Sequence, residues 1–144
     1  YKILDYIKKI NINENINYTN YYSKRDYLLT PTELKFYKLL KNITDKLGYS
    51  LFIQVPLYEL VQHKRYTDFN KIRSKSIDFV ITQKNCKILV CIELDDKTHN
   101  QYKRIKRDKF INKLFEDIGI KLIRVPVQNF YNVNELERKL LENI

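Results

Sequence analysis

The residues most able to do chemistry cluster in one short run of the chain, Lys87 to His99, which reads Lys-Ile-Leu-Val-Cys-Ile-Glu-Leu-Asp-Asp-Lys-Thr-His. Ile88 to Ile92 is apolar and rich in β-branched side chains, the pattern of a buried central strand. The run then delivers Glu93, Asp95 and Asp96. Side chains on a strand alternate, so Leu89, Cys91, Glu93 and Asp95 share one face. A second β-rich run, Ser76 to Thr82, precedes it, with a turn over Thr82 to Lys87. If the two strands form a hairpin centred between Asn85 and Cys86, Asp78 faces Glu93. Opposed residues in such a pair have Cβ atoms roughly 5 Å apart, and like charges there are destabilising. Two facing carboxylates need compensation, either from an Arg or Lys bridge or from a divalent cation. Mg²⁺ is typically held by one or two carboxylates with waters and substrate phosphates. Two further acids nearby, in an otherwise basic chain, favour the cation.

That basic character is pronounced. Lys and Arg number 27 against 17 Asp and Glu, a formal charge of +10 in 144 residues. A single domain of this length can bury a real core, and 44% hydrophobic with 31% charged residues is a globular composition. Such a positive domain suits a polyanion, with nucleic acid, and DNA in particular, as the expected partner. No apolar run reaches the ~20 residues of a membrane span, and nothing resembles a cleavable signal. Cys86 and Cys91 fit neither a disulfide framework nor a zinc spacing. A reduced, cytoplasmic setting is expected. The chain starts at Tyr1 and holds no Met, so a longer parent chain is expected.

Around the acidic run the elements follow from their punctuation. Residues 1–27 read as an arm or linker, with helical spacing from Tyr1 to Ile10 and an Asn-rich irregular tract from Asn11 to Tyr22. Thr30-Pro-Thr-Glu33 is a capping box with Pro at the first helical position. Leu34, Tyr37, Leu40, Ile43 and Leu47 form the apolar stripe of the helix it opens, and Gly48 ends it. Glu33 is either the box partner or a residue aimed at a site. Leu51 to Val55 is a strand closed by Pro56. Gln62 to Lys75 reads as a polar loop carrying Lys64, Arg65, Lys71, Arg73 and Lys75, with Tyr66 and Phe69 interleaved, a combination suited to phosphate contacts and base stacking. A basic helix from about Gln101 to Ile118 follows, with Ile105, Phe110, Leu114, Phe115 and Ile118 on its buried face. Its cations Lys103, Arg104, Lys106 and Arg107, with Lys97 before them, lie just beyond the carboxylates. Ile120 to Val125 is the last strand, and Asn134 to Glu142 the last helix. The order helix, three strands, helix, strand predicts a mixed α/β sandwich with the acids at one edge of the sheet. The expected divisions are 1–27, a domain over 28–130 and a C-terminal helix over 131–144.

Glu33 on a first helix, a strand-borne Asp78, Glu93-x-Asp95, a basic helix and a closing strand together resemble the restriction-endonuclease-like superfamily, the PD-(D/E)XK nucleases. Leu29-Thr-Pro-Thr-Glu33, Ile77-Asp-Phe79, Ile92-Glu-Leu-Asp-Asp96 with Thr98-His99, and Gly119 with Leu122-Ile-Arg124 resemble more closely a bacterial family of unknown function similar to the very-short-patch repair endonucleases. The resemblance covers about Leu28 to Pro126. It implies a three-layer α-β-α core and Mg²⁺- or Mn²⁺-dependent hydrolysis of DNA phosphodiester bonds. In its pattern Asp78 and Glu93 are metal ligands, Glu33 the first-helix acid and Gln54 the Gln that some members carry on the first strand. At the usual Lys position stands Asp95, which becomes a further metal ligand. His99, with an ordinary pKa of about 6.5, becomes a candidate general acid or base. Lys97 or Lys75 would then supply the missing positive charge. Two other functions fit the same residues: a non-catalytic nucleic-acid-binding module, and a protein-interaction domain with its carboxylates in buried salt bridges.

Overall fold

The structure, a computed structural model, describes residues 2–9, 15–97 and 101–144, with only the backbone of 6–9. Helix α1 spans Lys2–Lys9, and a single 3-10 turn covers Tyr18–Asn20. Thr30 caps α2 (Pro31–Leu47) as its sequence predicts. Its hydroxyl accepts from the Glu33 amide at 3.2 Å, and the Glu33 carboxylate accepts from the Thr30 amide at 2.9 Å. Gly48, at φ 77°, closes the helix in the left-handed conformation that costs glycine nothing. Strand β1 (Ser50–Pro56) leads into α3 (Leu57–Leu60) and α4 (Tyr66–Ile72), followed by β2 (Ser76–Thr82), β3 (Ile88–Asp95), α5 (Tyr102–Ile118), β4 (Leu122–Pro126) and α6 (Val133–Glu142).

Three expectations need correcting. The stretch from Gln62 to Lys75 is not one loop, because α4 occupies its centre. Phe69 and Ile72 pack into a core there, and Arg65 holds Asp68 through a two-point ion pair at 2.8 and 2.9 Å. Leu34, Ile105 and Ile118 are exposed; the buried positions are Phe36, Leu40, Ile43 and Thr44 on α2, and Ile111 and Phe115 on α5. The acids also do not stand on an edge strand. The sheet order is β1-β2-β3-β4, so Asp78 and Glu93 sit on the two inner strands.

The sheet is mixed: β1, β2 and β3 run antiparallel and β4 pairs parallel to β3. Helices cover both faces, giving a mixed α/β architecture. On one face α2 and α6 pack Phe36, Leu40, Leu136 and Leu140 against Phe79, Ile81, Val90, Ile92, Ile123 and Val125. On the other, α3, α4 and α5 bring Leu57, Ile72, Ile111 and Phe115 onto Val80 and Cys91. The last helix thus belongs to the same packing unit as the sheet. The described side chains of the N-terminal arm join neither core, and Tyr18, Tyr21, Tyr22 and Tyr27 are exposed. No described helix is long and apolar enough to cross a membrane.

One irregularity shapes the site. Leu51 and Ile53 of β1, and Phe79 and Ile81 of β2, face the α2/α6 core, but Val55 and Ile77 face the other. Strict alternation would keep 51, 53 and 55 together. The switch falls at Gln54, which has φ 49° and drops out of a ladder that pairs Ile53 with Phe79 and Val55 with Ile77. By count, the residue across from Gln54 is Asp78.

Candidate functional site

The hairpin register matches the sequence expectation: Phe79 pairs with Ile92 and Val80 with Cys91, so one step further Asp78 meets Glu93. There a side chain takes the place of the ladder. The Asp78 carboxylate accepts from the Leu94 amide at 2.9 Å, and the two acids are close enough to share a hydrogen bond. Glu93 is only 5% exposed. Burial, and then the charge and hydrogen bond of Asp78, push its carboxyl up to about 8, against the opposing pull of Arg107. At neutral pH the protonated form of Glu93 is therefore favoured.

Arg107 comes from the second turn of α5 and ties the pair to that helix. Its Nη2 donates to Glu93 Oε1 at 3.1 Å and to the Ser76 carbonyl at 2.6 Å, and its Nη1 donates to Asp108 at 3.0 Å. Compensation of the acid pair by an arginine, one of the two alternatives open from sequence, is thus present at Glu93. A buried carboxylate losing such a partner would be left uncompensated.

These groups head a cleft of about 640 Å³ bounded by Thr30, Thr32 and Glu33 from α2, Asp78 and Glu93 from the sheet, and Asp96, Lys103, Arg104 and Arg107 from β3's end and α5. Glu33 is both capping-box partner and cleft wall, so its two readings coexist. Asp95 stands elsewhere. Its carboxylate accepts from Arg124 at 3.1 Å, and it lines a smaller neighbouring cleft with Lys97, Arg104 and Asp108. Gln54 lines neither cleft; its mark is the left-handed backbone beside Asp78. His99 lies outside the described residues. Among the predicted cations, Lys103, Arg104 and Arg107 join the carboxylates, and Lys71, Lys75 and Lys106 gather with Lys103 and Arg107 in an adjoining pocket. Lys64, Arg65 and Arg73 border none of these.

Sequence reasoning missed the network beneath the cleft. Arg124 on β4 donates to Asn112 at 2.9 and 3.0 Å as well as to Asp95, and lies 3.6 Å from Asp108. This fastens α5 to β3 and β4. Only the parallel pairing that sets Arg124 beside Glu93 reveals the connection. Thr30, Thr32 and Asp96 were also missed as cleft walls, although the cap of α2 and the acid run hinted at each.

Among the described residues no three His, Cys, Asp or Glu side chains assemble into a metal-binding cluster. The donor set is a two-carboxylate pair of hard oxygens. Such a pair suits Mg²⁺ or Mn²⁺, which complete their shells with water and phosphate, and does not suit zinc with its nitrogen and sulfur ligands.

Searches of curated proteins and of solved structures each return no match. The family model of a protein of unknown function, DUF2726, matches residues 25–144. It spans α2 through α6 and leaves out α1 and the residues after it up to Lys24. The chain belongs to the DUF2726 family.

Proposed function

We propose that this domain is a metal-dependent endonuclease of restriction-endonuclease-like fold that hydrolyses DNA phosphodiester bonds. One observation carries the reading: two carboxyls, Asp78 and Glu93, meet at the ends of the inner strands at the head of a cleft rimmed by Lys103, Arg104 and Arg107. A buried carboxyl raised by a second carboxyl beside it marks a place where positive charge is wanted, and perturbed carboxyls in clefts are frequent at active sites. Asp78 and Glu93 would hold Mg²⁺ or Mn²⁺, which when bound would polarise the phosphate and activate water near neutral pH.

The chain's own residues do the rest. Lys103 and Arg104 position the phosphate backbone by charge. The Leu94 amide fixes the Asp78 carboxylate, and Arg107 fixes Glu93 while supplying a cation at the reacting centre. This offsets the Lys that the resemblance places where Asp95 stands. His99, a few residues beyond the acidic strand in the sequence, is the side chain proposed to exchange the proton.

A second reading, a nucleic-acid-binding module without catalysis, is favoured by the Arg107–Glu93 ion pair, because a carboxylate satisfied by arginine has less need of a metal. Calorimetric titration of Mg²⁺ and Mn²⁺ into the wild type and Asp78→Ala, followed by plasmid cleavage with each, decides between them. Saturable binding and cleavage that both disappear in Asp78→Ala support the nuclease. DNA binding without either leaves the binding module.

A further inference from the structure

A second charged pocket adjoins the carboxylate cleft, and its composition is different. It measures about 430 Å³ and is lined by Lys71, Lys75, Lys103, Lys106, Arg107 and Phe110, with no acid among them. Lys103, Lys106, Arg107 and Phe110 stand at i, i+3, i+4 and i+7 on α5 and so share one helical face. Lys71, from the last turn of α4, and Lys75, just before β2, face them. Phe110 gives the pocket an aromatic wall, with the Lys75 ammonium 5.3 Å from its ring centre.

Several cations elsewhere on the domain stand against acids: Lys41 with Asp45, Lys46 with Glu137, Arg65 with Asp68, Lys113 with Asp117 and Arg138 with Glu142. In this pocket, Arg107 is paired with Glu93 and Asp108, and Lys75 donates to the Lys71 carbonyl and rests on Phe110. Lys71, Lys103 and Lys106 form no ion pair among the described residues. Lys71 feels the charge of Asp68, but that carboxylate is already gripped by Arg65. Three unmatched ammonium groups around an apolar wall repel one another, and the concentrated charge favours an anion of more than one unit. A phosphate monoester carries about −1.5 to −2 at pH 7, against a single charge on each internal diester of a strand.

We propose that this pocket binds the terminal phosphate of a nucleic-acid strand, setting the strand end beside the carboxylate pair through the shared Lys103 and Arg107. The inference rests on the nuclease reading for its partner but not on catalysis.

The test is fluorescence anisotropy in EDTA, which excludes cleavage. It uses one internally labelled single-stranded oligonucleotide carrying a 5′-phosphate, a 3′-phosphate or hydroxyls at both ends, with thymidine monophosphate and inorganic phosphate as competitors. One phosphorylated form is expected to bind the wild type about tenfold tighter than the dihydroxyl form, the effect of one well-made charge-assisted contact. Lys71→Ala/Lys106→Ala is expected to bind all three forms alike while keeping the circular dichroism spectrum of the wild type. Equal affinity for all ends in the wild type, or a preference that survives in the double variant, overturns the proposal. So does thymidine monophosphate binding as tightly as the strand, which would make the ligand a small phosphate ester. Binding that is blind to the strand end overturns this inference alone, whereas no binding to any oligonucleotide overturns the nucleic-acid reading with it.

Discussion

Replacing Glu93 by Gln removes the proton shared with Asp78 while keeping the shape of the site. The amide oxygen can still accept from Arg107, and the amide NH2 can donate to Asp78 where the proton had been. In the wild type the Glu93 carboxyl titrates at about 8 when folded and at its ordinary 4.5 when unfolded. Between those values the folded chain binds more protons than the unfolded one, so stability is highest at the acidic end and falls as pH rises. At about 1.4 kcal/mol per pH unit the whole window is worth at most about 5 kcal/mol, of which about 3 kcal/mol falls between pH 5 and pH 8. Gln does not titrate, so the variant lacks this slope. With a urea m-value of about 2 kcal/mol/M, its midpoint should match the wild type near pH 5 and exceed it by roughly 1.5 M at pH 8. Urea titrations of both proteins at pH 5, 6, 7 and 8 measure this difference, in which titrating groups that do not touch Glu93 cancel. Parallel profiles, or a variant less stable than the wild type at pH 8, would refute the assignment of a buried, proton-sharing Glu93.

Two further substitutions test the local architecture. Thr30→Ala removes the hydroxyl that accepts from the Glu33 amide and should cost about 1 kcal/mol, read as a lower urea midpoint; an unchanged midpoint would show the cap to be dispensable. Gly119→Ala places a side chain at φ 80° with nothing within 4 Å of its Cβ, so only backbone strain of about 1 kcal/mol is added. A drop of about 3 °C in Tm is expected, and a rise would mean that the left-handed turn relaxes without cost.

Where the chain declares itself locally, the sequence was sufficient. The Thr30 capping box, the two glycine stops and the hairpin register depend on neighbours within a few residues or on a count of alternating side chains, and each appears in the structure. Helix α4 escaped because no side chain of Arg65 caps its start and its apolar positions are few; it exists through Phe69 and Ile72 packing on α3 and β2. The exposed Ile105 and Ile118 mislead for a related reason. Apolar residues sit on several sides of α5, and only tertiary contact selects the face with Ile111 and Phe115. Arg107 was legible as a cation but not as the partner of Glu93, since the two meet only when α5 packs across the sheet. The positive φ of Gln54 has no sequence signature, because glutamine rarely adopts it.

The change of face at Gln54 and Asp78 has a consequence for fidelity of assembly. In an ordinary half-buried strand one hydrophobic set fixes the register, and a slip by one residue exchanges the whole set for its neighbours. Here β1 and β2 each carry two sets that keep the two-residue spacing yet face opposite layers, Leu51 and Ile53 or Phe79 and Ile81 on one side of the change and Val55 or Ile77 on the other. A shifted alignment must satisfy two layers of helices at once, and one that repairs the first misplaces the second. The strands are keyed twice, like a lock with two wards cut on opposite sides. The position where the two keys meet, and where misalignment is least tolerated, is the one that carries Asp78.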